Sequence, residues 1–150
     1  MRRRLAFAAV LALLPLSACS APPFTTASTC IDWVFFETPD DAVAEADAVA
    51  VGRIVDQAGS TTYMGMPATT WNVEVDEWLE GSGDDEIVVT SLPRSCGDDG
   101  DSMASYQGTE PLVFFLRDDA EGWQLVTPWQ GVVPAGPDGL PADWPDDIYG

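Results

Sequence analysis

Apolar and polar positions alternate most regularly over Trp71-Asn72-Val73-Glu74-Val75-Asp76, where every second side chain is apolar and the rest are polar or acidic. A period of two sends alternate side chains to opposite faces, so this segment predicts a β-strand with one dry and one wet face. Glu86-Ile87-Val88-Val89-Thr90 predicts another strand, set off by the turn Glu80-Gly81-Ser82-Gly83-Asp84. Leu112 to Leu116 and Trp123 to Val126, joined across Asp118-Asp119-Ala120-Glu121-Gly122, predict a β-hairpin. Ala48 to Val55 is a β-rich run interrupted by Gly52, and a glycine inside a strand marks a bulge or bend of the kind that curls a sheet. Gln130-Gly131-Val132-Val133 leads into a tail rich in Pro, Gly and Asp, while the segment through Arg94, Cys96 and Gly100 has no strong period.

One short helix is predicted. Thr38-Pro39-Asp40-Asp41 supplies a capping hydroxyl, a first-turn proline and two acids ahead of Ala42-Val43-Ala44-Glu45-Ala46. Internal repeats are absent. Five to six short strands with a single short helix predict an all-β class, a small barrel that is closed or nearly closed.

The N-terminus has a different logic. Arg2, Arg3 and Arg4 precede an apolar run from Leu5 to Leu16 that is too short to cross a bilayer as a stable helix, the layout of a targeting segment. The run Leu16-Ser17-Ala18-Cys19 that follows resembles the lipobox of bacterial lipoproteins. That resemblance implies removal of residues 1–18, acylation of Cys19 as the new N-terminus, and work outside the cytoplasm at a membrane surface. Acyl chains such as palmitate contribute about 0.8 kcal/mol per buried methylene, and several chains on one Cys make a persistent anchor. The alternative is an ordinary secretory signal cleaved near Ala18-Cys19 without lipid. Residues 19–29, with Pro22-Pro23 and many short side chains, predict a flexible tether; residues 30–150 have the size of one domain.

Charge then narrows the partners. The chain has 25 acidic residues, six arginines, and no lysine or histidine; without residues 1–18 it keeps only Arg53, Arg94 and Arg117, for a net charge of −22. Such a surface repels nucleic-acid backbones and anionic lipid headgroups, which excludes nucleic acid as a partner and leaves the lipid as the link to the membrane. With Cys19 acylated, Cys30 and Cys96 are an even pair in an oxidising compartment and are expected to form a disulfide, which on the loop-closure account stabilises the fold by about 4 kcal/mol. A redox-active or metal-binding pair is the other reading, without C-x-x-C spacing or histidine to support it.

The order of motifs also suggests a family. Ala46-Asp47-Ala48-Val49-Ala50-Val51-Gly52-Arg53-Ile54-Val55, then Trp71 to Val75 with Trp78-Leu79-Glu80-Gly81, Ile87-Val88-Val89-Thr90, Cys96-Gly97, and Gly108 before Leu112-Val113-Phe114-Phe115-Leu116, resembles netrin-like domains, the OB-fold modules shared with tissue inhibitors of metalloproteinases. The resemblance implies an OB-fold barrel over roughly Cys30 to Val133, with an N-terminal Cys pinned to one after the third strand, the relative places of Cys30 and Cys96. It does not extend to the inhibitors' zinc chelation, which uses a free amino-terminal Cys, whereas Cys30 is internal.

Candidate chemistry adds little. Histidine, the usual base near neutral pH, is absent, there is no G-x-S-x-G elbow, and Glu74 and Asp76 lie on the wet face of a strand, so no catalytic residue, metal or cofactor is expected. Asp98-Asp99-Gly100-Asp101 reads as an acidic turn, since it lacks the spacing and distal Glu of a calcium loop. Of six tryptophans, Trp71 follows the apolar phase of its strand, while Trp129 and Trp144, beside Pro and Gly, are the candidate surface contacts. The expectation is a lipid-anchored, non-catalytic binding module for an envelope or extracellular protein, contacting it through loops such as Arg94 to Asp101. Alternatives are a carbohydrate or small-ligand receptor using exposed Trp, a protease inhibitor, and a structural envelope component.

Overall fold

The structure, a computed structural model, describes residues 30–94 and 100–145. The expected signal and tether, Cys19 and Cys96 lie outside the described residues. Helix α1 spans Pro39–Glu45 behind a reciprocal cap: Thr38 Oγ1 accepts from the Asp41 N–H at 3.3 Å, and the Asp41 carboxylate accepts from the Thr38 N–H at 3.0 Å. The strands are β1 Ala48–Tyr63, β2 Met66–Glu80, β3 Glu86–Ser91, β4 Leu112–Asp119, β5 Gly122–Leu125 and β6 Val132–Pro134, with a second helix, α2, at Ser102–Ser105. The protein is therefore mostly β, as the alternation predicts.

Two features exceed the expectation. β1 and β2 run on past Val55 and before Trp71 as a long hairpin, in which Tyr63 pairs with Met66 across Met64-Gly65. Both turn residues have positive φ, 48° and 82°, as a tight hairpin matched to strand twist requires. Gln57-Ala58-Gly59-Ser60-Thr61-Thr62 has no apolar period and Met-Gly is not an Asn-Gly signal, so this arm is set by pairing with the partner strand. α2 likewise falls in a segment without periodicity, because its start is set by a cap, the side chain of Asp101, which accepts from Met103 N and Ala104 N.

β1 pairs antiparallel with β2 and with β4, β2 with β3, and β4 with β5 and β6, whereas β3 and β5 are parallel. Following these pairings from β1 through β2, β3, β5 and β4 returns to β1. The runs Ala48 to Gly52 and Leu112 to Leu116 are buried throughout, because both faces are covered. Ala50, Phe114 and Leu116 join the inner core with Trp71, Val73, Val89 and Leu125. Val49, Val113 and Phe115 pack into a second core with Phe36, Ala42 of α1, Val126 and Val133. Gly52 sits at a register shift where a Cβ would meet the Glu74 carbonyl oxygen and Val75 Cα, so the predicted irregularity is a close backbone approach. The second core covers the outer side of β4 and of Ala48 to Gly52 in β1, while the outer side of β2 and β3 carries Asn72, Glu74, Asp76, Glu86 and Val88.

Candidate functional site

This exposed outer side of β2 and β3, with the part of β1 beyond Gly52, holds two recesses, and register decides what it displays. Ile54 pairs with Val73 and Asp56 with Asn72, so Val55 is an extra residue that bulges outward. Val55 is 52% exposed, and Val88, opposite Asn72 on β3, is 50% exposed. Asn72 is held between them, its Nδ2 donating to Asp56 Oδ1 at 2.7 Å. Val55, Asn72, Glu86 and Val88 line a recess of about 500 Å³. A second recess, of about 730 Å³, is lined by Glu74, Val75, Asp76, Asp84, Asp85 and Glu86. Glu86 belongs to both.

The neighbouring row across the sheet is Arg53, Glu74 and Glu86. The Arg53 guanidinium pairs with Glu74 and reaches Asp76 at 3.6 Å. Glu74 and Glu86 stand directly opposite each other, an arrangement in which like charges weaken strand pairing. Among the described residues no ion pair reaches Asp84, Asp85 or Glu86. One guanidinium thus stands among the five carboxylates of the second recess, beside a small apolar patch that Asp56 also borders. Chemically, such a surface attracts cations, accepts N–H donors and sheds water from two valines.

Asp101, read from sequence as part of an acidic turn, is an internal anchor. Its Oδ2 accepts from Trp71 Nε1 at 3.0 Å, and its Oδ1 accepts from Ser91 Oγ at 2.6 Å and from the Met103 N–H at 3.0 Å. Asp98 and Asp99 lie outside the described residues. Among the described residues no cluster of three or more His, Cys, Asp or Glu is arranged to hold a metal ion.

Arg94 is half-buried at the edge of the loop whose middle lies outside the described residues. Trp129 is half-buried on the turn after Pro128. Trp144 is half-buried with its Nε1 donating to the Phe36 carbonyl at 3.0 Å and its ring edge-on to Phe115 at 5.5 Å, so much of it serves the second core. None of these three residues lines either acidic recess. Cys30 is a partnered, oxidised residue and not a free thiol. Gln130 had no sequence signal beyond its place before Gly131, yet it is fully buried: its Oε1 accepts from Phe36 N at 2.8 Å, and its Nε2 donates to the carbonyls of Phe36 at 2.8 Å and Pro145 at 3.1 Å.

No protein-family model matches the chain, and neither the curated proteins nor the solved structures contain a match. Among the described residues no helix is long and apolar enough to cross a membrane.

Proposed function

We propose that this chain is a non-catalytic binding module, held outside the cytoplasm by a lipid on Cys19 and built on an OB-type barrel, whose partner is a protein of the envelope or extracellular space. The barrel reading is supported by the return of strand pairing from β4 to β1 and by the parallel pairing of β3 with β5. The address rests on Arg2 to Arg4, the apolar run and Leu16-Ser17-Ala18-Cys19. A disulfide between Cys30 and Cys96 fits that compartment and ties the start of the domain to the loop after β3.

The observation that carries the binding reading is the outward face of β1 to β3, where Val55 and Val88 stand half-exposed in a recess, whereas the outward face of β4 and of the first part of β1 is covered. A sheet presenting apolar side chains in a recess binds without first having to order itself. Labelling with a radioactive fatty acid tests the anchor: label enters the wild-type protein and not Cys19→Ser. Photocrosslinking from exposed positions of the membrane-bound protein tests the partner, with discrete protein adducts expected. No incorporation of label, or no adduct from any face, sinks the corresponding half of the reading.

A further inference from the structure

We infer that the outward face of β1, β2 and β3 docks an extended protein segment that carries an apolar side chain followed by basic ones at every second residue, an inference that rests on the binding-module reading above. The face is organised in rows. Asp56, Asn72 and Val88 form one row with the bulged Val55 beside it, Arg53, Glu74 and Glu86 the next, and Asp76 with the Asp84-Asp85 turn lies beyond. Successive rows on one face are about 7 Å apart, which is also the spacing of residues i and i+2 in an extended chain. A segment lying along the strands therefore places an apolar group over Asn72, flanked by Val55 and Val88, a cation over Glu74 and Glu86, and a second cation over Asp76 and Asp84.

Charge selects this occupant over the others. A second copy brings its own −22 and the same five carboxylates, and nucleic acid and anionic lipid are repelled on the same ground. A bare divalent ion is a poor fit, because the carboxylates lie in successive rows and not around one point, and it leaves the valines wet. A basic and apolar segment relieves the opposition of Glu74 and Glu86 and also covers the valines.

The probe is a short labelled peptide alternating serine with, in order, leucine, lysine and lysine, titrated by fluorescence polarisation against the full acylated chain in detergent. Binding is expected to weaken about fivefold in Val88→Ser and again when serine replaces the peptide's leucine. Glu86→Gln is expected to weaken binding while raising the melting temperature. Asp118→Asn, near the end of β4 and outside both recesses, leaves binding unchanged. Equal losses from Asp118→Asn and Glu86→Gln, no effect of Val88→Ser, no binding at all, or a chain dimer that Val88→Ser dissolves each overturn the inference. A photoreactive residue at exposed Gln57, next in sequence to Asp56 of this face, and another at Asp118 separate it from the broader reading. Protein adducts from Gln57 that Val88→Ser abolishes support it. Adducts from Asp118 alone overturn the docking face and leave a binding module, and adducts from neither overturn both.

Discussion

Asp101→Ala removes four acceptor contacts at once. The carboxylate takes Trp71 Nε1, Ser91 Oγ and the N–H groups of Met103 and Ala104, at 2.6 to 3.3 Å. Trp71 and Ser91 are 4% and 2% exposed, so their donors lose a partner where water has little access. A buried donor left unpaired costs about 1 to 3 kcal/mol. Loss of a helix N-cap costs about 1 kcal/mol. Because Ser91 can turn its hydroxyl and solvent reaches Ala104, the expected loss is about 4 kcal/mol, a large share of the stability of a small domain. Asp101→Asn keeps one oxygen but points its amide N–H₂ at either the indole N–H or the cap, so about half that loss is expected. Equilibrium urea unfolding of the mature chain, followed by tryptophan fluorescence with and without calcium, measures both. A loss below about 1 kcal/mol for the alanine variant refutes the anchor. A calcium-induced stabilisation that vanishes in the variant refutes it too, since it makes Asp101 a metal ligand.

Gln130→Leu removes the three hydrogen bonds that clasp Phe36 and Pro145, and is expected to cost about 3 kcal/mol and to speed proteolysis at both ends of the domain, as limited digestion with mass spectrometry would show. Gly52→Ala forces a Cβ into the Glu74 carbonyl and is expected to cost about 3 kcal/mol or to prevent folding, read by far-ultraviolet circular dichroism and thermal melting. Cys19→Ser is expected to move the protein from the membrane pellet to the soluble fraction without changing its melting temperature; retention in the pellet counts against a lipid anchor.

Much of the fold is legible as local pattern. Thr38-Pro39-Asp40-Asp41 announces α1 because a cap needs only neighbours in sequence. Trp71 to Asp76 announces its strand because one face is dry and one wet, and the unbroken apolar run Leu112 to Leu116 reflects a strand buried on both sides. The distal hairpin arm is not legible, since Gln57 to Thr62 acquires its strand character from pairing with Pro67 to Trp71 and from a Met-Gly turn. Neither is α2, which starts where Asp101 finds donors on two separate strands.

The same division runs through the candidate site. Composition and alternation already determine the strong negative charge, the lack of a histidine base, and a wet face holding Glu74 and Asp76. They cannot tell which acids gather, because Asp84 and Glu86 meet Glu74 through strand register, and Asp56 shares the outward face with Val55 only because a bulge sets it opposite Asn72. Nor can they tell apart two acids of identical chemistry, Asp101 turned inward to four donors and Glu86 turned outward opposite Glu74. Side-chain chemistry is carried by each residue alone, whereas its task depends on neighbours that only folding brings within a few ångströms.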